Sequence, residues 1–197
     1  FILIKNAFPI EFIIHLKREV KKFWEKYPES FSKIIDNCKD FHRSITPELS
    51  KNYSVNAVKH ATFFFPWNND PCEINQIIFK KWDLIKTISG FKPQQFRYNH
   101  PKDLVIDRIQ IAVYPPGFGE LEAHTDPVNN TKIATNIYLS SYKNGDFQSG
   151  GFYFLDKNKN KINIETYIDV GDIGMFYGNV LHGVDAIDKN ISTFDIN

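Results

Sequence analysis

Cysteine is scarce in this chain: Cys38 and Cys72 are the only two in 197 residues, and they lack paired spacing. That excludes a disulfide framework and a zinc knuckle, leaves one Cys38–Cys72 bridge open, and points to a reducing, cytoplasmic setting. Charge of one sign is not in excess either. Twenty-four basic residues stand against twenty-three acidic ones, so no global field draws the protein to nucleic acid or to an anionic membrane. Long apolar runs are missing: the most apolar stretch, Phe1 to Ile14, is broken by Lys5, Pro9 and Glu11. It is neither a signal segment nor a membrane span, and the chain reads as soluble. Glycine-rich phosphate loops, internal repeats, low-complexity tracts and the patterns of a serine, cysteine or lysine nucleophile are also absent.

Aromatic side chains are plentiful, at 15% with eighteen phenylalanines, within 42% hydrophobic residues. Such a composition suits a β-rich core or an apolar pocket. The length fits one domain, 1–197, read as a helical support region over 1–100 and a β core over 101–197. In the first part, Ile13, Leu16, Val20, Phe23, Trp24 and Tyr27 recur at helical spacing and predict an amphipathic helix over Pro9 to Tyr27. A second helix is punctuated by Asp70 as N-cap, Pro71, Glu73 three residues after the cap, and Gly90 beyond the end. Its expected buried face is Ile74, Ile77, Ile78, Trp82, Ile85 and Ile88. A short helix near Phe31 to Cys38 and an irregular stretch over Phe63 to Trp67 are expected between the two.

From Arg108 the apolar period changes to two, with turns between short runs. Strands are predicted over Arg108 to Tyr114, Leu121 to Asp126, Ile133 to Leu139, Gly151 to Leu155, Ile162 to Val170, Gly174 to Tyr177 and Leu181 to Ile187. The fold class is therefore mainly β with N-terminal helices (α+β), and short strands behind a helix pair suggest a jelly roll or double-stranded β-helix.

His124-Thr125-Asp126 falls on one of these strands, where residues two apart share a face, so an imidazole and a carboxylate project together. His182, in Val180-Leu181-His182-Gly183-Val184, is the candidate third donor. Two histidines and one carboxylate leave coordination positions open, which favours iron(II) oxygenase chemistry over a closed structural zinc site. His15 and His60 read as surface or helix-face residues and His42 and His100 as loop residues, with structural roles for all four.

Residues 108 to 187 resemble the 2-oxoglutarate and iron(II)-dependent oxygenase superfamily, in its prolyl-hydroxylase-like branch. The shared features are Tyr114-Pro115-Pro116-Gly117 ahead of Glu122-Ala123-His124-Thr125-Asp126-Pro127, then Asn136-Ile137-Tyr138-Leu139-Ser140, Gly150-Gly151-Phe152-Tyr153-Phe154, and Gly171-Asp172 before His182-Gly183-Val184. The resemblance implies a double-stranded β-helix, with His124, Asp126 and His182 as catalytic metal ligands. It implies iron(II) as the metal, with 2-oxoglutarate and O2 as co-substrates. Hydroxylation of an unactivated C–H bond in a small-molecule or amino-acid-like substrate, with release of succinate and CO2, is the activity it implies. Halogenating members replace the carboxylate by a small residue, so Asp126 favours hydroxylation.

The far carboxylate of 2-oxoglutarate needs a fixed cation, ideally arginine. In resembling proteins it follows the distal histidine by about ten residues, but Asp185 to Phe194 holds no arginine. Three sources are open: an arginine beyond Asn197 or in an absent stretch, which is favoured; Lys189; or a cation from another strand, for which Arg108 is the best internal choice by parity with Tyr114. Tyr114, Asn136 and Tyr138 are candidates for hydrogen bonds to the co-substrate. Two rival readings stand beside the oxygenase: a cupin-like metal enzyme that does not use 2-oxoglutarate, and a non-catalytic jelly-roll binding module.

Overall fold

The structure is a computed structural model and describes residues 1–127 and 133–190. In chain order its elements are β1 (Ile2–Ile4), α1 (Ile10–Lys26), β2 (Phe41–Ile45), α2 (Pro47–Ser50), β3 (Ala57–Phe64), α3 (Asn75–Ile88), β4 (Ile109–Val113), β5 (Glu120–His124), β6 (Ile133–Ile137), β7 (Gly151–Leu155), β8 (Lys161–Asn163), β9 (Ile173–Tyr177) and β10 (His182–Asp185). The described residues are thus mainly β with few helices. None of these helices is long and apolar enough to cross a membrane. The chain divides into two compact units, one made of Phe1–Ile13, Ser44–His60 and the residues from Val113 onward, the other of Ile14–Arg43 and Ala61–Ala112.

The first unit contains two sheets. One has the order β1-β9-β6, with β9 antiparallel to both neighbours. The other runs β3-β5-β10-β7-β8, antiparallel throughout. The pleat sends alternate side chains to one face, and here that face carries Phe152, Phe154, Phe176 and Val184, which form a buried cluster with Ile164 and Ile168. Leu121, Tyr114, Ala134 and Tyr138 pack against the same cluster. Burying four phenylalanine and valine side chains contributes on the order of 6–12 kcal/mol before entropy is counted, so this core holds the β10 scaffold in place.

In the second unit α1 buries Leu16, Val20 and Phe23, the stripe its helical spacing predicts, and Tyr27 lies past its end with 42% of its surface exposed. The later part of β3 supplies Phe63 to an aromatic core with Phe41, Phe65, Ala61 and Cys38. On α3, Ile78 and Ile85 are buried, as is Ile74 just ahead of it, while Ile77 and Ile88 face solvent. That helix starts later than its punctuation suggests. Glu73 sits at φ 53°, in the left-handed region, which interrupts a helix begun at Pro71. The N-cap is Ile74 instead of Asp70, without a side-chain cap bond, although the Asp70 carboxylate accepts from Asn75 N at 2.7 Å, and Gly90 at φ 83° follows the end of the helix as expected. The expected helix near Phe31 to Cys38 does not form, and residues 41–45 and 57–64 are strands where none was predicted. Two free, buried cysteines stand in place of a bridge, and burial pushes the Cys72 thiol up to about 12.

Candidate metal centre

The centre starts from a pairing of strands. His182 on β10 stands opposite His124 on β5, and opposite Phe154 on β7. Directly paired residues on neighbouring strands have Cα atoms about 4.5–5.5 Å apart, so the two imidazoles are forced together, with ring centroids 4.4 Å apart. Two positions away, Val184 pairs with Leu121 rather than with Glu122. One extra residue is therefore accommodated on β5, a β-bulge, and Leu121 and His124 both point to the core face.

β5 ends at His124, so Asp126 lies beyond the strand on which it was expected. Its backbone N–H donates to Gly178 O at 2.8 Å. That bond brings the carboxylate Oδ1 to 3.8 Å from His124 Nε2. Ligand atoms of His124, Asp126 and His182 all lie within 4.8 Å of one another. Three donors from two strands and a loop thus converge on a region one ion wide.

Each imidazole is fixed through its other nitrogen. His124 Nδ1 is 2.9 Å from Glu122 O, and His182 Nδ1 is 2.9 Å from Val180 O. A carbonyl only accepts, so both Nδ1 atoms carry the hydrogen and both Nε2 lone pairs are left for a metal. Second-partner bonds of this kind orient metal-ligating histidines generally. The His182 ring also stacks on Phe152 at 5.8 Å and meets the edge of Phe176 at 4.7 Å. Burial holds its imidazole below the ordinary value, with His124 acting in the same direction and the Val180 bond and Asp126 opposing. The neutral, ligating form is favoured. His182 is buried at the back, while His124 and Asp126 keep 18% and 26% of their side chains exposed, so the group opens on one side.

Three of the four residues expected to bind a co-substrate belong to this same unit. Tyr114 and Tyr138 pack on the core cluster that backs His182, and burial raises both phenols above their ordinary values. Asn136 shares the parity of Tyr138 on the β6 side and pairs with Gly174. A Cβ at Gly174 would come within 2.6 Å of the Tyr138 hydroxyl, so that glycine makes the room the phenol needs. The hydroxyl is buried and makes no hydrogen bond among the described residues, although such groups are nearly always satisfied. Arg108 lies in the second unit, where its guanidinium donates to Gln110 Oε1 at 3.1 Å and covers the Phe63 ring at 5.3 Å. Of the stretch where an arginine was sought, Ile191 to Phe194 lie outside the described residues. Lys189 lines a surface groove with Glu120 and Glu122.

Among the other histidines, His15, His42 and His100 have contacts within the fold. His15 Nε2 bonds Cys72 O at 3.1 Å, and His100 stacks on Trp67 at 5.3 Å. His42 is on a buried strand instead of a loop, with Nε2 2.7 Å from Tyr27 O. Lys59 of β3 has its ammonium 5.9 Å from the Tyr114 ring centroid.

No family profile and no curated protein sequence matches the chain. Solved structures do resemble it. A prolyl-4-hydroxylase from Pseudomonas putida superposes with a TM-score of 0.60 at 14% identity, over 95% of this chain and 86% of that one. A prolyl hydroxylase from Trichoplax adhaerens, in complex with a peptide fragment of the hypoxia-inducible factor oxygen degradation domain, superposes with a TM-score of 0.57 at 13% identity, over 94% and 77%. The fold is that of these proteins.

Proposed function

We propose that this chain is a 2-oxoglutarate-dependent iron(II) oxygenase built on a double-stranded β-helix, with His124, Asp126 and His182 as the metal ligands. One observation carries the reading: two imidazoles, each anchored through Nδ1 to a backbone carbonyl, aim Nε2 at the space that the Asp126 carboxylate also faces. Two neutral nitrogens and one anionic oxygen suit iron(II), and three protein ligands leave positions for exogenous ones, unlike a four-ligand structural zinc site. The fold shared with two prolyl hydroxylases supports the same reading.

When bound, iron(II) with 2-oxoglutarate and O2 supplies the oxidising power for an unactivated C–H bond, yielding succinate and CO2. The residues of this chain do the rest. Phe152 and Phe176 hold the His182 ring and keep water from its rear, while the exposed side of His124 and Asp126 is where a substrate approaches. In this reading Tyr114, Asn136 and Tyr138 receive the co-substrate's polar atoms. Asp126 occupies the position a halide would need, so the outcome is hydroxylation. The substrate is a small molecule or an amino-acid-like group. Proline is not carried over from the structural neighbours, because a shared fold does not transfer a substrate.

The reading is tested by anaerobic titration of the purified protein with iron(II), then 2-oxoglutarate, following the visible charge-transfer band of the chelate. Saturation at one equivalent, and its loss in His124→Ala, supports it. Iron binding without a band moves a cupin-like enzyme ahead, and no iron binding leaves a jelly-roll binding module.

A further inference from the structure

His182 is held by one hydrogen bond, from Nδ1 to Val180 O, and one bond fixes where Nδ1 sits without fixing the tilt of the ring about it. That tilt decides where Nε2 points. The rings in contact with the imidazole set it: Phe152, stacked at 5.8 Å with 23° between the planes, and Phe176, whose ring lies 4.7 Å away. Phe152 also meets Phe176 at 5.6 Å, so a shift of Phe152 disturbs both supports. We infer that Glu165 is a positioning residue of the metal centre, setting Phe152 and through it His182, an assignment that rests on the metal-ligand reading.

The ladder between β7 and β8 shows how it does so. Tyr153 pairs with Asn163 and Phe154 with Ile162, so Phe152 stands opposite Ile164, where a regular antiparallel pair exchanges two N–H···O bonds. One of the two is made, from Ile164 N to Phe152 O at 3.4 Å. The chain then turns into a 3-10 helix over Glu165–Tyr167, and Ile164 O accepts from Tyr167 N at 2.9 Å instead. The Phe152 N–H, turned to the same side, donates to Glu165 Oε1 at 2.6 Å. A side chain stands in for the missing rung, and a buried backbone N–H is satisfied where β8 has already ended.

The surroundings are shaped to this side chain. Gly151, directly before Phe152, has φ 95°, and a Cβ on it would come within 2.5 Å of Glu165 Cγ and Oε1. The backbone of Glu165 is pinned as well, its N–H donating to Asn163 Oδ1 at 2.8 Å. Glu165 is buried, and burial raises its pKa, which favours the neutral carboxyl that an amide can imitate. Glu165 touches none of the three ligands in any of these contacts; its effect on His182 runs through the Phe152 ring.

The test titrates the purified protein with cobalt(II), whose visible bands report the geometry of its ligands, and with iron(II), at a temperature where every variant is folded. Glu165→Met removes the acceptor at nearly the same length and should weaken both metals roughly 10-fold and shift the cobalt(II) bands. Glu165→Gln keeps the acceptor and should bind both metals as the wild type does. Phe152→Leu should lose affinity to a similar extent, and adding Glu165→Met to it should cost little more, because the two act as one unit. Wild-type affinity and bands in Glu165→Met, even with a lowered unfolding midpoint, make the role purely structural and overturn the assignment; fully additive losses overturn it too. Where Glu165→Met does not fold, Glu165→Asp, whose shorter stem draws the carboxylate back from Phe152 N, carries the same expectation. A wild type that binds neither metal overturns the metal-ligand reading itself.

Discussion

Among the described residues, a buried ion-pair network and the His124–Asp126–His182 group solve opposite problems. In the second unit, Lys86 and Asp107 form an ion pair with only 3% and 4% of their side chains exposed. Trp82 Nε1 donates to Asp107 at 3.1 Å, Arg97 Nε approaches the same carboxylate at 3.4 Å, and Arg97 Nη2 reaches Asp83 at 2.5 Å. Gln95 O accepts from Lys86. Every charge there is answered by another protein group, and burial, the dominant influence, keeps the Lys86 ammonium below its ordinary value. At the His124–Asp126–His182 centre the three ligand atoms all have the same polarity: lone pairs face lone pairs. A closed network is structural. A set of converging lone pairs is what the proposed metal would fill.

The contrast is sharpest where one partner is removed. Asp107→Ala leaves Lys86 charged in the core and should cost about 3–5 kcal/mol, which for a chain of this length lowers the melting midpoint by roughly 6–20 °C. A melt like that of the wild type would dissolve the distinction between the clusters. Asp126→Ala should act the other way round: iron(II) affinity falls by more than the roughly 10–100-fold that losing an outer partner of a metal ligand costs, while the metal-free melt moves by only a few degrees. Titration and calorimetry on both variants decide it.

Smaller effects refine the picture. Tyr138→Phe deletes a buried hydroxyl that has no hydrogen-bond partner among the described residues, so the metal-free protein should gain about 1 kcal/mol in urea unfolding and yet bind 2-oxoglutarate more weakly. A loss of stability would mean that the hydroxyl is satisfied within the fold. The mildest test concerns Glu165, whose carboxylate accepts from Phe152 N at 2.6 Å behind the core. Burial raises its pKa, the Phe152 bond opposing. The folded state therefore keeps this proton to higher pH than the unfolded chain, so its contribution is full below the ordinary glutamate value and is lost as pH rises through the raised one. Glu165→Gln should flatten the pH dependence of unfolding across that window, and an unchanged slope would assign it to other groups.

What could be read from the letters depended on how far apart the interacting residues are. The histidines and aspartate were legible because short motifs carry them, and the strand period after Arg108 was visible within windows of five residues, except over Ile162 to Val170, where only Lys161–Asn163 is a strand and a 3-10 turn follows at Glu165–Tyr167. Strands β2 and β3 escaped notice, since mixed segments such as Phe41–Ile45 show no clean alternation and become strands only through distant partners. The late start of α3 turned on the backbone of Glu73, to which propensity gives no clue. Arg108 matched Tyr114 in parity, but parity counts only along one continuous strand, and β4 ends at Val113.

The bulge on β5 has a consequence for how this protein can vary. With regular pairing, Val184 would face Glu122, and Leu121 and His124 could not share a face. Removing Glu122 or Ala123 would leave Leu121 and His124 two residues apart, so regular pairing with Val184 and His182 would keep both on the core face while the kink and added twist of the bulge are lost. A deletion scan across Glu120 to Ala123 therefore separates two requirements of the centre, the shared face and the bend that the extra residue puts into β5.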